Sequence, residues 1–309
     1  MCIICNGEID DKNLYTLTTL NVSDCNLLTS EKLQEILIQC INLTTLGCSY
    51  CKSLTSLDLR NNINLTTLRC NDCISLTSLD LLSSSEGVTS IGCINLTTLW
   101  CFNCTSLTSL DLRSSSKGCV NLTILDCYSC KSLISLDLRN NINLETLQCS
   151  ECTSLTSLDL RNNINLKTLW CFNCTSLTSL DLWSRSEGVT SKGCIELNCS
   201  FCTSLTSLDL RNNINLTRLY CHSCTSLTSL NLRSNIEIKY KNINYSKCPW
   251  ITQNKDFSNN LHNLIKLQKW YRKLLIIKYI KSREFVEWIY NPSNIGGKCH
   301  KLKLLKEFQ

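Results

Sequence analysis

Leu43-Thr44-Thr45-Leu46-Gly47-Cys48-Ser49-Tyr50-Cys51-Lys52-Ser53-Leu54-Thr55-Ser56-Leu57-Asp58-Leu59-Arg60-Asn61-Asn62 is one motif written twice. Leu43, Leu46, Cys48 and Cys51 are matched, each eleven residues on, by Leu54, Leu57, Leu59 and Asn62. The first half reads LxxLxCxxC and the second LxxLDLxxN, and together they make a unit of 22 residues. The next unit follows at once with Leu65, Leu68, Cys70, Cys73 and then Leu76, Leu79, Leu81.

Working outward, the LxxLDL half begins at Leu54, Leu76, Leu107, Leu133, Leu155, Leu177, Leu205 and Leu227. The longer steps hold Ser/Gly-rich inserts at Ser83–Gly87, Ser114–Gly118 and Ser184–Gly188, as expected of loops on one side of a coil. Side chains alternate along an extended chain. Leu57 and Leu59 should therefore point in, with Asp58 and Arg60 out, and Leu68-Arg69-Cys70-Asn71 should bury Leu68 and Cys70. Each half then reads as a short strand. Stacked units would pair those strands in parallel and join their apolar faces into one core. Asn62, Asn141, Asn163 and Asn213 fall where the strand turns, where an amide can satisfy backbone groups left unpaired by the bend.

The N-terminal part departs from this unit. Leu17, Leu20, Val22 and Cys25 fit it, but Ser30-Glu31-Lys32-Leu33-Gln34-Glu35-Ile36-Leu37 reads as a helix with Ser30 as N-cap and Leu33, Ile36 and Leu37 on one face. A helical first coil would cap the open end of the core.

The LxxLxL/CxxN/C pattern resembles the leucine-rich-repeat signature. Its nested form resembles the short two-half repeats of some bacterial and giant-virus leucine-rich-repeat proteins. The resemblance covers Leu17 to Ile236. It implies an α/β-type leucine-rich-repeat solenoid: short parallel strands, about two per 22-residue coil, with an N-terminal helical cap and a C-terminal helical segment. It also implies a protein-binding scaffold. The sequence departs from many members in carrying Cys where they have Asn, at Cys51, Cys73, Cys104, Cys130, Cys152, Cys174, Cys202 and Cys224. The organisation expected is a cap (1–41), a solenoid (42–236), a linker (237–260) and a basic helical segment (261–309).

Of the 25 cysteines, 16 form eight CxxC pairs within the repeat, and Cys2/Cys5 form a ninth. The spacing of consecutive pairs formally matches a four-cysteine zinc site. The repeat explains it better, because Cys48 stands in the slot of Leu59 and Cys51 in that of Asn62. Buried cysteine behaves as a small apolar residue, so packing is expected, with no metal or other cofactor. Disulfide ladders are the alternative: stacked strands lie within bridging range, although parallel side-chain vectors suit it poorly.

Two outward faces differ. The LDL half repeats Asp58, Asp80, Asp111, Asp137, Asp159, Asp181 and Asp209, mostly followed two residues on by Arg, which predicts cross-strand ion pairs. The Cys half varies. Its outward positions include Trp100, Phe102, Tyr128, Trp170, Phe172, Tyr220 and His222, a set of exposed aromatics of the kind that form recognition hot spots. These are the candidate partner-binding residues. Leu96–Cys104 nearly recurs at Leu166–Cys174, so duplication alone could also have placed the Trp/Phe pairs. Sequons such as Asn64-Leu65-Thr66 recur with the repeat.

From Glu237 to Gln309, 15 Lys+Arg against 5 Asp+Glu give +10 within a whole-chain charge of +6, leaving −4 for residues 1–236. A helix is expected over 261–280, with Lys266, Lys269, Trp270, Arg272 and Lys273 as candidate tail-binding residues. Leu267-Gln268-Lys269-Trp270-Tyr271-Arg272 resembles the start of a calmodulin-binding IQ motif, with Lys273 where that motif has Gly. The tail, through Tyr290–Lys298, also resembles C-terminal segments of giant-virus proteins. The readings open for it are a helix docked on the solenoid, an adaptor for calmodulin or a ubiquitin-ligase component, and an anionic membrane or nucleic acid. An F-box would need more than the 16 residues ahead of the repeats.

His222, His262 and His300 are the only histidines and sit in no catalytic constellation. Gly296-Gly297-Lys298 lacks the spacing of a phosphate loop. No enzyme is expected. The start of the chain lacks the pattern of a secretory signal, and no apolar run is long enough to span a membrane. The expectation is an intracellular monomer, in host cytoplasm if viral, with a protein partner.

Overall fold

A computed structural model describes residues 11–81, 92–112, 119–182, 193–210, 213–232 and 242–248. All lie within the first of two units, Met1–Lys255. The tail residues Lys266, Lys269, Trp270, Arg272 and Lys273, the expected tail helix and the three Ser/Gly inserts fall outside the described residues.

The nested repeat folds as a parallel β-solenoid with two three-residue strands in each regular coil. The Cys halves supply one continuous sheet: β1 (Thr19–Asn21), β2 (Thr45–Gly47), β4 (Thr67–Arg69), β6 (Thr98–Trp100), β8 (Ile124–Asp126), β10 (Thr146–Gln148), β12 (Thr168–Trp170), β14 (Glu196–Asn198), β16 (Arg218–Tyr220) and β18 (Ile243–Asn244). Each strand pairs in register with the next. The LDL halves form pairs instead: β3 (Ser56–Asp58) with β5 (Ser78–Asp80), β7 (Ser109–Asp111) with β9 (Ser135–Asp137), β11 (Ser157–Asp159) with β13 (Ser179–Asp181), and β15 (Ser207–Asp209) with β17 (Ser229–Asn231).

The core is the predicted one. In the second coil Leu43, Leu46, Cys48, Cys51, Leu54, Leu57 and Leu59 are buried, and later coils repeat the set. Each buried leucine contributes roughly 1.5–3 kcal/mol relative to exposure. A single coil can hide them only against its neighbours.

In the first coil a helix, α1 (Ser30–Leu37), takes the place of the second strand, and it buries Leu33, Ile36 and Leu37 as expected. Its N-cap is Thr29, one residue before the predicted Ser30. The Thr29 side chain accepts from the Lys32 backbone N–H at 3.3 Å. Ser30 is buried because its hydroxyl has other work: it accepts from the backbone N–H groups of Thr55 and Ser56 at 3.0 and 2.9 Å, tying the helix to the next coil. The sheet also runs past Ile236 into the stretch read as a linker. There β18 adds to β16, with Ile243 and Cys248 buried.

Candidate binding face

Both corners of the coil are closed by side chains that donate to the carbonyls of the preceding coil. In the Cys half the second cysteine donates its S–H to the backbone carbonyl of the residue in the first-cysteine slot one coil earlier. Cys73 reaches the Cys48 carbonyl at 3.1 Å, Cys104 that of Cys70 at 3.0 Å, Cys130 that of Cys101 at 3.1 Å and Cys152 that of Cys127 at 3.2 Å. The same bond continues from Cys174 to Cys149, Cys202 to Cys171, Cys224 to Cys199 and Cys248 to Cys221. The cysteines were read as packing residues; they are also hydrogen-bond donors. Among the described residues 22 cysteines are buried. Thiol–thiol hydrogen bonds and burial both raise Cys101 and Cys127, and burial pushes Cys119 up to about 12.

The LDL corner works in the same way with an amide. Asn163 Nδ2 donates to the carbonyls of Leu138 and Asn141 at 3.0 and 2.7 Å, and Asn62 Nδ2 to those of Leu37 and Cys40 at 3.1 and 3.0 Å. The side-chain oxygens of Asn141 and Asn163 are buried with no hydrogen-bond partner. At Asn141 and Asn163 the amide therefore serves as a donor only, and cysteine serves in the same slot, with Cys93 donating to the Leu59 carbonyl at 3.2 Å; at Asn213 the amide oxygen accepts instead, from the Cys194 backbone N–H at 3.0 Å. The recurrent sequons have a structural reading as well. Asn64 Nδ2 donates to the Ile41 carbonyl at 3.1 Å, and Thr66 Oγ1 to that of Thr44 at 3.0 Å.

A second regularity shapes the Cys corner. The residue before the second cysteine adopts left-handed φ in coil after coil: Asp24, Tyr50, Asp72, Asn103, Ser129, Glu151, Asn173, Phe201, Ser223 and Lys247, all between 57° and 63°. Its N–H points to the following coil, as from Tyr50 to the Asn71 carbonyl at 2.8 Å and from Glu151 to that of Phe172 at 2.8 Å. This bond extends the inter-coil ladder beyond the strand and holds a conformation that non-glycine residues seldom adopt.

The outward residues of the continuous sheet form two columns. Strand register aligns Arg69, Trp100, Asp126, Gln148, Trp170, Asn198 and Tyr220 in the first. Phe102, Tyr128, Ser150, Phe172, Ser200 and His222 fall in the second, beyond the strand end and in the turn. Not every residue expected to point outward there does so: Asn71, Ser150 and Ser200 are buried at the bend, while the aromatics remain half-exposed.

All seven candidate residues lie on this one face, and neighbouring coils connect several of them. The Arg69 guanidinium sits 4.5 Å from the Trp100 ring centroid. Tyr128 and Phe172, two coils apart, approach to 6.3 Å between centroids with Ser150 fully buried between them in the column. Tyr128 donates its hydroxyl to Glu151 at 2.9 Å, a bond that raises the phenol. His222 Nδ1 lies 2.8 Å from Ser200 Oγ, and its ring meets Phe201 edge-on at 4.8 Å. Sequence reasoning passed over Phe201 because it occupies the left-handed position rather than an outward strand position. Trp170 is 38% exposed. Asp126 accepts from the Tyr128 backbone N–H at 3.1 Å, and burial raises its carboxyl.

The LDL face differs from the expectation of cross-strand pairs. Each described Arg clamps the Asp of its own strand: Arg60 with Asp58, Arg139 with Asp137 and Arg161 with Asp159, the last two at 2.6 Å. A side chain two residues on lies on the same face and reaches its own strand's carboxylate in fork geometry. The clamp holds Asp58 and Asp159 below the usual carboxylate range. Cross-coil ion pairs occur instead on the Cys side, between Lys167 and Glu145 at 2.7 Å and between Arg218 and Glu196 at 2.8 Å. Among the described residues no cluster of His, Cys, Asp or Glu is arranged to hold a metal, and no helix is long and apolar enough to cross a membrane.

Repeat, register and corner bonds together define a parallel β-solenoid of the leucine-rich-repeat-like class. No family model matches the chain, and no curated protein matches it in sequence. Among solved structures it is similar to the functional domain of InlJ from Listeria monocytogenes, described as including a cysteine ladder, with 25% identity over 74% of this chain and a TM-score of 0.34. This chain spans 59% of the length of that structure. It is also similar to the leucine-rich repeat domain of the type III effector XopL, at 20% identity over 77% of this chain and 72% of that one, TM-score 0.46. A leucine-rich repeat protein from Bacteroides ovatus matches at 18% identity over 66% of this chain and 63% of that one, TM-score 0.26.

Proposed function

We propose that this chain is a non-enzymatic scaffold that binds a protein partner through the outward face of its continuous sheet, centred on Trp100, Phe102, Tyr128, Trp170 and Phe172. One observation carries the reading. Trp100 and Trp170 stand in register on a single hydrogen-bonded sheet, with Phe102, Tyr128 and Phe172 in the turns that follow its strands, whereas the LDL face is a near-constant series of Asp residues, three of them clamped by their own Arg. Aromatic side chains held on rigid backbone lose little entropy on association and supply most of the binding energy at protein interfaces.

Panning of displayed random peptides against the full chain tests this. Selected peptides should lose roughly 30-fold or more in affinity for the Trp100→Ser/Trp170→Ser protein, the scale of a hot spot. They should bind Arg161→Ala unchanged. Equal binding to both variants would refute the assignment of the face.

A further inference from the structure

Two near-copies of one segment, Leu96–Cys104 and Leu166–Cys174, differ in what covers their tryptophans. Trp100 carries the guanidinium of Arg69, which stands one strand earlier in the same column. Trp170 has Gln148 at that position and keeps 38% of its surface exposed. The nearest cation by sequence, Lys167, is engaged by Glu145 at 2.7 Å.

On the other side of Gln148 in the column stands Asp126. It is half-buried, takes one N–H from Tyr128, and belongs to none of the described ion pairs. A desolvated carboxylate without a cation is unfavourable, and its raised carboxyl reflects that burial. Neighbouring strands lie about 4.8 Å apart, so a group resting on Gln148 lies within reach of both Asp126 and Trp170. Tyr128 and Phe172, two residues beyond Asp126 and Trp170 respectively, approach to 6.3 Å between ring centroids.

We propose that Asp126, Gln148 and Trp170 form a seat for one arginine side chain of a peptide partner. Its guanidinium stacks on the Trp170 indole, and its N–H groups reach the Asp126 carboxylate and the Gln148 side-chain oxygen. The Arg69–Trp100 pair is the same recognition made within the chain. A planar guanidinium stacks and forks where an ammonium cannot, which selects arginine over lysine. The charge of −4 on residues 1–236 favours a basic partner. This inference rests on the binding-face reading and adds the partner's chemistry.

The test uses the full chain labelled with 5-fluorotryptophan and three capped tripeptides, Gly-Arg-Gly, Gly-Lys-Gly and Gly-citrulline-Gly. The Trp170 resonance should shift saturably with the arginine peptide and not with its uncharged citrulline analogue. Asp126→Asn should weaken the arginine response about tenfold. The Trp100 resonance should stay still until Arg69→Ala uncovers it, and then respond to the same peptide. A Trp170 resonance that does not move, or that moves equally with citrulline or lysine, overturns the proposal. If panned peptides depend on Trp100 and Trp170 yet carry no arginine, the binding face stands and the arginine seat falls.

Discussion

The two halves of each coil share leucine spacing and strand length but solve the same corner differently. On the Cys side a thiol donates once to the preceding coil, and a left-handed residue donates to the following one. On the LDL side the Asn62 and Asn163 amides each donate twice to the preceding coil, and among the described residues no left-handed residue other than glycine stands there. The Cys-side sheet is continuous and the LDL side is paired in twos. The difference teaches where variation is tolerated. The extra inter-coil bond fixes the Cys-side backbone whatever side chains it carries, so that side can vary its outward residues.

The largest break in the comparison comes from the amide. Asn163→Ala removes two buried donations and should lower stability by about 2–4 kcal/mol in urea unfolding. Asn163→Cys should recover roughly half of that loss, because the Asn163 side chain acts there only as a donor. Recovery no better than alanine would end the donor-only account. On the thiol side Cys152→Ala should lower stability by roughly 1–3 kcal/mol, less than its amide counterpart because one carbonyl is orphaned rather than two. Equal losses would mean that packing, not donation, sets both values.

The left-handed column offers a gain. Tyr50→Asn should raise stability by about 0.5–1 kcal/mol, since asparagine enters that region readily, as Asn103 and Asn173 already do. Tyr50→Val should lower it by more, because a β-branched residue fits there worst.

The smallest effects concern charge, and they run in opposite directions with pH. Arg60→Ala should cost less than about 1 kcal/mol, as surface pairs do. Asp58 is depressed in the fold, so its contribution is present above the unfolded carboxylate value and is lost as pH falls through the folded one. Asp126 is raised, so its ionised form weakens the fold and stability increases as pH falls through its folded value. Asp126→Asn should therefore stabilise the protein near neutrality and lose that advantage in acid. Unfolding midpoints across the acid range for both variants check the two signs.

Much of this was legible in the sequence because the eleven-residue period dictates which side chains face inward. Leu57, Leu59, Leu68 and Cys70 are buried as alternation requires, and Asn62 and Asn163 stand at corners. The left-handed column was not legible: Tyr50, Glu151 and Phe201 share no chemistry, and what they have in common is a backbone bond to the following coil. The last described coil was missed because Ile243 fills a leucine slot and Tyr245 a cysteine slot. The aromatic residues were legible as a set. Their neighbours Ser150 and Ser200 were not legible as buried, because the strand stops one residue before the cysteine that precedes each of them and the chain bends inward.

The side-chain corner bonds also have a direction. Cys73, Asn163, Asn64 and Thr66 each donate to a carbonyl that lies earlier in the chain. During synthesis from the N-terminus, each emerging coil therefore brings its own side-chain donors to acceptors already laid down. The solenoid can lengthen by tandem duplication without any finished coil being rebuilt.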